Sequence, residues 1–275
     1  KGSTLAHLRS LLEAKGLRIG AFSSPYLVSF NEQISIDGIP ISDQELEGYL
    51  ALYRDLLAKN SSDQTLRGLT EFELMTVMAF DYFAAKKPDV VVMEVGMGGR
   101  LDSTNVCQPI LTAITTIGLD HVTLLGPDLS LIAREKAGII KEKIPVLLGR
   151  IELEAQEVIV QQAHRLSAPI EVLGQDFLVS YQESLIDGEV FTYQSQSRSE
   201  VQLKTGLLGL HQVDNAGLAL ALCDTFCQEK GLSLLNQEEI LQAWEGVQWP
   251  GRLEIISNQP LIILDGAHNP HAVAP

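Results

Sequence analysis

Residues 89–96 read DVVVMEVG, a run in which apolar residues are not broken by the polar alternation of a half-exposed strand. Such a run is expected of a strand covered on both faces, the arrangement found in parallel sheets sandwiched by helices. The flanking segments agree. Upstream, TEFELMTVMAFDYFAAKK begins with Thr70 and Glu73 spaced as a capping box and continues as a helix. Before it, SDQELEGYLALYRDLLAKN repeats the device with Ser42 and Glu45, then carries Leu46, Tyr49, Leu50, Tyr53 and Leu57 at helical spacing. The opening helix has Leu5, Leu8, Leu11 and Leu12 on one face and stops at Gly16, and LRIGAFSSP follows as a strand. Downstream, ILTAITTIGLDH, DLSLIAREKAGII, IPVLLG and ELEAQEVIVQQAHRLSA alternate as strand, helix, strand and helix. This alternation means βαβ units and an α/β fold.

From about residue 170 the chain turns β-branched and aromatic, with an Asp187-Gly188 turn, and is expected to add antiparallel strands to the parallel sheet. Two helices, VDNAGLALALCDTFCQEKG and NQEEILQAWEGV, then precede WPGRLEII and a final strand, PLIILDGAHNP, for which no partner is expected in the chain.

A net charge of -15 over 275 residues argues against a nucleic-acid surface, which needs clustered Lys and Arg. Any anion must be bound locally, by helix N-termini, metal ions or a few placed cations. No apolar stretch reaches the roughly 18–20 residues of a membrane span, and no leader is expected, so the chain reads as a soluble protein. Three cysteines, Cys107, Cys223 and Cys227, are too few for a disulfide framework and fit a reducing cytoplasm.

Four stretches could carry chemistry. KGST at the start matches the second half of a phosphate-binding loop, although Lys, Gly and Ser also suit an ordinary helix start. Ligands of open parallel sheets sit beyond the carboxyl ends of the strands, where Ser24, Glu94 and His121 supply a hydroxyl, a carboxylate and an imidazole. That donor set suits Mg²⁺ or Mn²⁺ beside a nucleotide. EVGMGGRLDSTN follows with three glycines that allow close backbone approach, while Arg100 and Asp102 can orient a bound group. Lys136, within REKAGII, reads either as a surface lysine paired with Glu135 or Glu142, or as a partly buried amine able to take up carbon dioxide as a carbamate.

Taken in order, KGST, SSPYL, LTEFE, EVGMGGRLDSTN, GLDHVTLLG, IAREKAGI, HQVDNA, WPGRLE and DGAHNPHA resemble the bifunctional dihydrofolate synthase/folylpolyglutamate synthases of the Mur ligase superfamily. GMGGRLDSTN and DGAHNP separate the chain from the cell-wall peptide ligases of that superfamily, which remain the rival within ligases; a catalytically silent ATPase-like binding module is the rival outside them.

The resemblance implies a P-loop NTPase-like, mostly parallel sheet flanked by helices, spanning residues 1–250. Residues 251–275 would be a linker and the first strand of a Rossmann-like C-terminal domain. The phosphate loop lacks the residues before Lys1, so the intact enzyme is expected to be longer at both ends. The implied activity is ATP-dependent addition of L-glutamate to dihydropteroate, or to the γ-carboxylate of a folate, through an acyl phosphate. ATP and Mg²⁺ at two sites are the implied cofactors, and the implied protein is a monomer with small-molecule partners, no nucleic acid and no membrane.

By the same resemblance Lys1, Gly2, Ser3 and Thr4 end the phosphate loop, with Lys1 acting on the phosphates. Ser24, Glu94 and His121 fall on Mg²⁺ ligands, and Lys136 on the carbamylated lysine that holds the second metal with His121. Gln212 and Asn215 fall near the adenine, Arg252 on the phosphates, Asp265 on the ribose, and His268 close to the nucleotide. Thr70, Glu71, Phe72, Glu73, Leu101, Asp102 and Ser103 would face the folate.

Overall fold

A computed structural model describes residues 1–66, 68–120 and 122–267. Helix α1 (Gly2–Ala14) leads into β1 (Ile19–Phe22), all four of whose residues are buried. A hairpin not expected from the sequence follows: β2 (Ile34–Ile36) and β3 (Ile39–Pro40) turn at Asp37-Gly38, both at positive φ (51° and 74°). Two left-handed residues between antiparallel strands match the right-handed strand twist, which is why Asp-Gly is favoured there.

Helices α2 (Asp43–Lys59) and α3 (Glu71–Lys86) both start on the expected capping boxes, with Ser42 and Glu45, and Thr70 and Glu73, bonded reciprocally. Then come β4 (Val90–Met93), β5 (Thr112–Ile114), a single turn α4 (Val122–Leu125), α5 (Leu129–Ala137), β6 (Val146–Leu148), α6 (Leu153–Arg165) and β7 (Ile170–Val172). The chain ends with β8 (Phe177–Leu185), β9 (Gly188–Ser195), β10 (Arg198–Thr205), α7 (His211–Lys230), α8 (Gln237–Glu245), β11 (Glu254–Asn258) and β12 (Leu261–Leu264).

The strands form four groups. The first has order β3-β2-β1-β4, with β1 and β4 parallel, and the second is the parallel set β5-β6-β7. Strands β8, β9 and β10 make an antiparallel sheet of their own rather than extending the parallel one, and β7 pairs parallel to β6 instead of opening the antiparallel segment. The reason is connection length: α6 returns the chain over the sheet before β7, which permits a parallel partner, whereas two-residue loops force β8 to β10 to alternate direction. Strand β12 is not unpartnered. It folds back antiparallel on β11, so each strand supplies the other's hydrogen bonds.

Strands β4 and β5 line a cleft of about 690 Å³, together with Leu5 and Leu8 of α1 and Leu222 and Phe226 of α7. Consequently β4 is only half-buried, with Val91 37% exposed, although its sequence suits burial on both faces. Three cores surround the cleft. The largest joins α1, α7 and the β8–β10 sheet around Trp244, Phe177, Phe191 and Tyr193. A second lies between β5–β7 and α5–α6, and a third between β1–β2 and α2–α3.

Candidate active site

Parallel pairing of β1 with β4 brings their carboxyl ends side by side, Phe22 opposite Met93, with the Glu94 N–H donating to the Phe22 carbonyl at 2.8 Å. Ser24 lies two residues beyond β1 and Glu94 immediately beyond β4, so the pairing delivers both to one edge. Glu94 is 9% exposed. A buried carboxylate needs a compensating charge, and Lys1 supplies one: its Nζ is 3.5 Å from Glu94 Oε1. The same ammonium donates to the Val95 carbonyl and, at 3.2 Å, to the Gly96 carbonyl.

Lys136 stands on the last turn of α5, partly buried. Burial is the main cause that pushes its ammonium below the ordinary lysine range; nearby Lys1 adds to this and Asp120 opposes it. Lys136 is thus partly buried rather than fully exposed. Glu135 instead pairs outward with Arg100, whose Nε and Nη2 donate to Glu135 Oε1 at 3.1 and 3.0 Å.

That pairing belongs to a latch between the glycine-rich loop and α5. The Arg100 N–H donates to the Glu135 carbonyl at 2.8 Å. Asn105 Nδ2 bridges the Arg100 and Gly138 carbonyls, at 3.1 Å each. The approach is so close that a Cβ on Gly138 would lie 2.3 Å from Arg100 Cβ, and one on Gly99 2.9 Å from the Glu135 carbonyl oxygen. Asp102 organises the loop rather than pointing out of it. One oxygen accepts from Met97 N–H (2.9 Å), the other from the Thr104 N–H (3.0 Å) and hydroxyl (2.5 Å).

On the opposite side the first turns of α1 and α7 are stitched together. Gln212 Nε2 donates to Ser3 Oγ (3.3 Å), Asn215 Nδ2 to Gln212 Oε1 (3.0 Å), and Thr4 Oγ1 to Asn215 Oδ1 (3.1 Å). Trp249 packs over Gly2 so tightly that a Cβ there would sit 2.7 Å from the indole. Arg252 and Asp265 gather around His211, whose basicity is lowered chiefly by burial, with Asp265 acting against that and Arg252 with it. Asp265 accepts from the Leu253 N–H (2.9 Å) and the Ala267 N–H (2.7 Å).

Thr70 and Glu73 are engaged with each other as the α3 cap. Phe72 stacks near Phe22, ring centroids 5.6 Å apart, and covers Gly96. Thr76 and Ser103 share a 2.8 Å hydrogen bond that ties α3 to the glycine-rich loop, while Leu101 is 79% exposed. Glu71 opens the first turn of α3. His121 and His268 lie outside the described residues. Sequence reasoning assigned no role to the Asn105 bridge, to Trp249 or to the buried His7. Only Asn105 and Trp249 lay within motifs already singled out.

No helix among the described residues is long and apolar enough to cross a membrane. Among them no group of three His, Cys, Asp or Glu converges as a complete metal cage. A hydroxyl and one buried carboxylate do suit Mg²⁺, which keeps several waters and completes its shell with phosphate oxygens.

The chain is 42% identical over 276 residues to a dihydrofolate synthase/folylpolyglutamate synthase of Bacillus subtilis, covering 99% of this chain and 63% of that relative. It is 37% identical to a folylpolyglutamate synthase of Lacticaseibacillus casei, again over 99% of this chain but 64% of the relative. It thus spans less than two thirds of the length of these curated relatives. Among solved structures, an FPGS-AMPPCP-folate complex superposes with a TM-score of 0.93 at 37% identity, over 99% of this chain and 66% of that one. The Mur ligase middle domain matches residues 64–223, more than half of the chain. The chain belongs to the Mur ligase middle domain family.

Proposed function

We propose that the protein carrying this chain is an ATP-dependent amide ligase that adds L-glutamate to dihydropteroate, to the γ-carboxylate of a folate, or to both. The observation that carries the reading is the convergence of Lys1, Glu94 and Lys136 at the carboxyl ends of parallel strands, beside a glycine-rich loop latched to the lysine's helix. A carboxylate resists attack by an amine because an oxide would have to leave. Transfer of the γ-phosphoryl of ATP to the acceptor carboxylate, with release of ADP, gives an acyl phosphate. The amine of glutamate then attacks the acyl carbon, phosphate departs, and the amine gives up a proton.

Each group has a part in this scheme. Lys1 and Arg252 bring positive charge to phosphate oxygens, and the Ser3, Thr4, Gln212 and Asn215 network orients the nucleotide between α1 and α7. Asp265 would serve the ribose, and His268 the nucleotide without an assigned contact. Ser24 and Glu94 would hold Mg²⁺, with His121 and Lys136 at a second site. Bound there, Mg²⁺ supplies charge neutralisation on the phosphates. Lowered basicity favours the neutral Lys136 amine, whose Nζ can attack carbon dioxide and release a proton to become a carbamate.

Glu71, Phe72, Leu101 and Ser103 would face the folate, and Thr70, Glu73 and Asp102, already engaged in their caps, would shape that border. The reading includes a nucleotide-binding part up to residue 250, a further domain beginning in 251–275, and a monomeric cytoplasmic enzyme.

Phosphate release is the test, measured with the natural protein, Mg-ATP, L-glutamate and dihydropteroate or a folate. Release that depends on both glutamate and the pterin is expected. Release no greater with the pterin than without it refutes the ligase reading and favours a silent ATPase-like module. Turnover with uridine-nucleotide precursors instead would make it a cell-wall type ligase.

A further inference from the structure

His7 lies in α1 one turn after Ser3 and is completely buried. Its Nδ1 is 2.8 Å from the Ser3 carbonyl oxygen and its Nε2 is 2.5 Å from Thr205 Oγ1. The ring meets Trp244 edge-on at 5.3 Å, and Trp244 Nε1 donates to the His7 carbonyl at 3.2 Å. A carbonyl oxygen only accepts, so Nδ1 must carry the proton and Nε2 must accept from the Thr205 hydroxyl. The Thr205 oxygen in turn accepts the Leu207 N–H at 3.2 Å. One neutral tautomer satisfies every polar atom in the chain of bonds. Burial pushes His7 down to about 4, which keeps it neutral at physiological pH.

The location gives these bonds a consequence. Ser3 is held from two sides, its carbonyl by His7 and its hydroxyl by Gln212 of α7. Thr205 ends β10, six residues before α7 begins. His7 therefore spans the gap between the first turn of α1 and the strand that feeds α7.

We propose that His7 is a positioning residue for nucleotide binding, whose Nδ1-protonated ring holds the Ser3 carbonyl and the Thr205 hydroxyl at fixed separation and so sets the α1 turn against α7. This rests on the nucleotide-dependent ligase reading. A histidine that only fills space would be replaceable by any ring of similar volume. A positioning histidine is replaceable only by a side chain that keeps the donor toward Ser3.

The experiment uses the natural protein with His7→Phe and His7→Asn. Phenylalanine keeps most of the ring volume and loses both hydrogen bonds, whereas asparagine leaves a gap but carries an amide N–H₂ where Nδ1 stood. Nitrogen NMR of labelled wild-type histidines is expected to show His7 protonated at Nδ1 and unprotonated at Nε2. The dissociation constant for AMPPCP with Mg²⁺ is expected to rise about tenfold in His7→Phe, which loses the donor toward Ser3 as well as the acceptor toward Thr205, and to stay within about threefold of wild type in His7→Asn. KM values for the acceptor and for glutamate should not change in either variant, and His7→Asn should melt at the lower temperature.

An Nε2-protonated ring overturns the proposal. So does an AMPPCP affinity that is unchanged in His7→Phe, or that follows melting temperature across the variants. A wild-type protein that binds no AMPPCP refutes the ligase reading before any variant is made, and the role given to His7 falls with it.

Discussion

Asp224→Ala should be among the most destabilising single substitutions in the β10–α7 region. The carboxylate is gripped by Arg198 through Nε at 3.0 Å and Nη2 at 2.7 Å, and Arg198 Nη1 donates to the Leu235 carbonyl at 2.7 Å. The two side chains are only 11% and 4% exposed. Removing the acid strips the guanidinium of its counter-charge and two of these three hydrogen bonds, in a place water scarcely reaches. Breaking one half of a buried pair costs about 3–5 kcal/mol. At about 2–4 °C per kcal/mol for a chain of this size, the melting temperature should fall by roughly 6–20 °C. Urea and thermal unfolding followed by circular dichroism measure it. The double variant Arg198→Met with Asp224→Leu should recover most of the loss, because an apolar pair of similar volume has no charge to desolvate. A cost under about 1 kcal/mol for Asp224→Ala would refute the reasoning, since that is the worth of a solvated surface pair. A double variant as unstable as the single one would assign the cost to packing instead of charge.

Gly138→Ala places a Cβ 2.3 Å from Arg100 Cβ and 2.5 Å from its Cα, which should lever the glycine-rich loop off α5. A stability loss of about 1–3 kcal/mol is expected, with a larger proportional fall in phosphate release than in folded fraction. Glu94→Gln removes the charge opposite Lys1. It should raise the Mg²⁺ concentration needed for half-maximal turnover by at least the roughly tenfold typical of an outer-shell partner. His7 has a folded-state value of about 4 against 6.5 in an unfolded chain, so the unfolded state binds the proton first. Stability should therefore be complete above the unfolded value and decline as pH falls from 6.5 towards 4, by about 3 kcal/mol in all. Chemical denaturation across that range checks it, and His7→Phe should flatten the slope.

Local signals in the sequence translated well. Ser42 with Glu45 and Thr70 with Glu73 form reciprocal caps because capping involves residues three apart and no distant partner. The hairpin at Asp37-Gly38 carried an equally local turn signal that the apolar pattern overshadowed. Strand partners were harder. Nothing in IEVLG distinguishes a strand that continues a parallel sheet from one that opens an antiparallel one, because β7 finds its direction from β6, more than twenty residues away.

The candidate site divides similarly. Ser24, Glu94 and Lys136 could be picked out from strand-end position and helix context. What those side chains are already bonded to could not. Asp102, Thr70 and Glu73 spend their oxygens on backbone N–H groups and hydroxyls, so their polarity in the sequence overstated their availability to a ligand. His7 escaped notice for the converse reason: one partner, Ser3, is four residues away, but the other, Thr205, is 198 residues along the chain.

The cleft between β4 and β5 bears on how this chain behaves in a tube. Each strand turns an edge toward the same slot, and strand edges are templates for pairing with any extended polypeptide that reaches them. Both edges border one slot, floored by Leu5 and Leu8 of α1. The amides of Val90–Met93 and Thr112–Ile114 should exchange with solvent sooner than those of the fully enclosed β1 and β6.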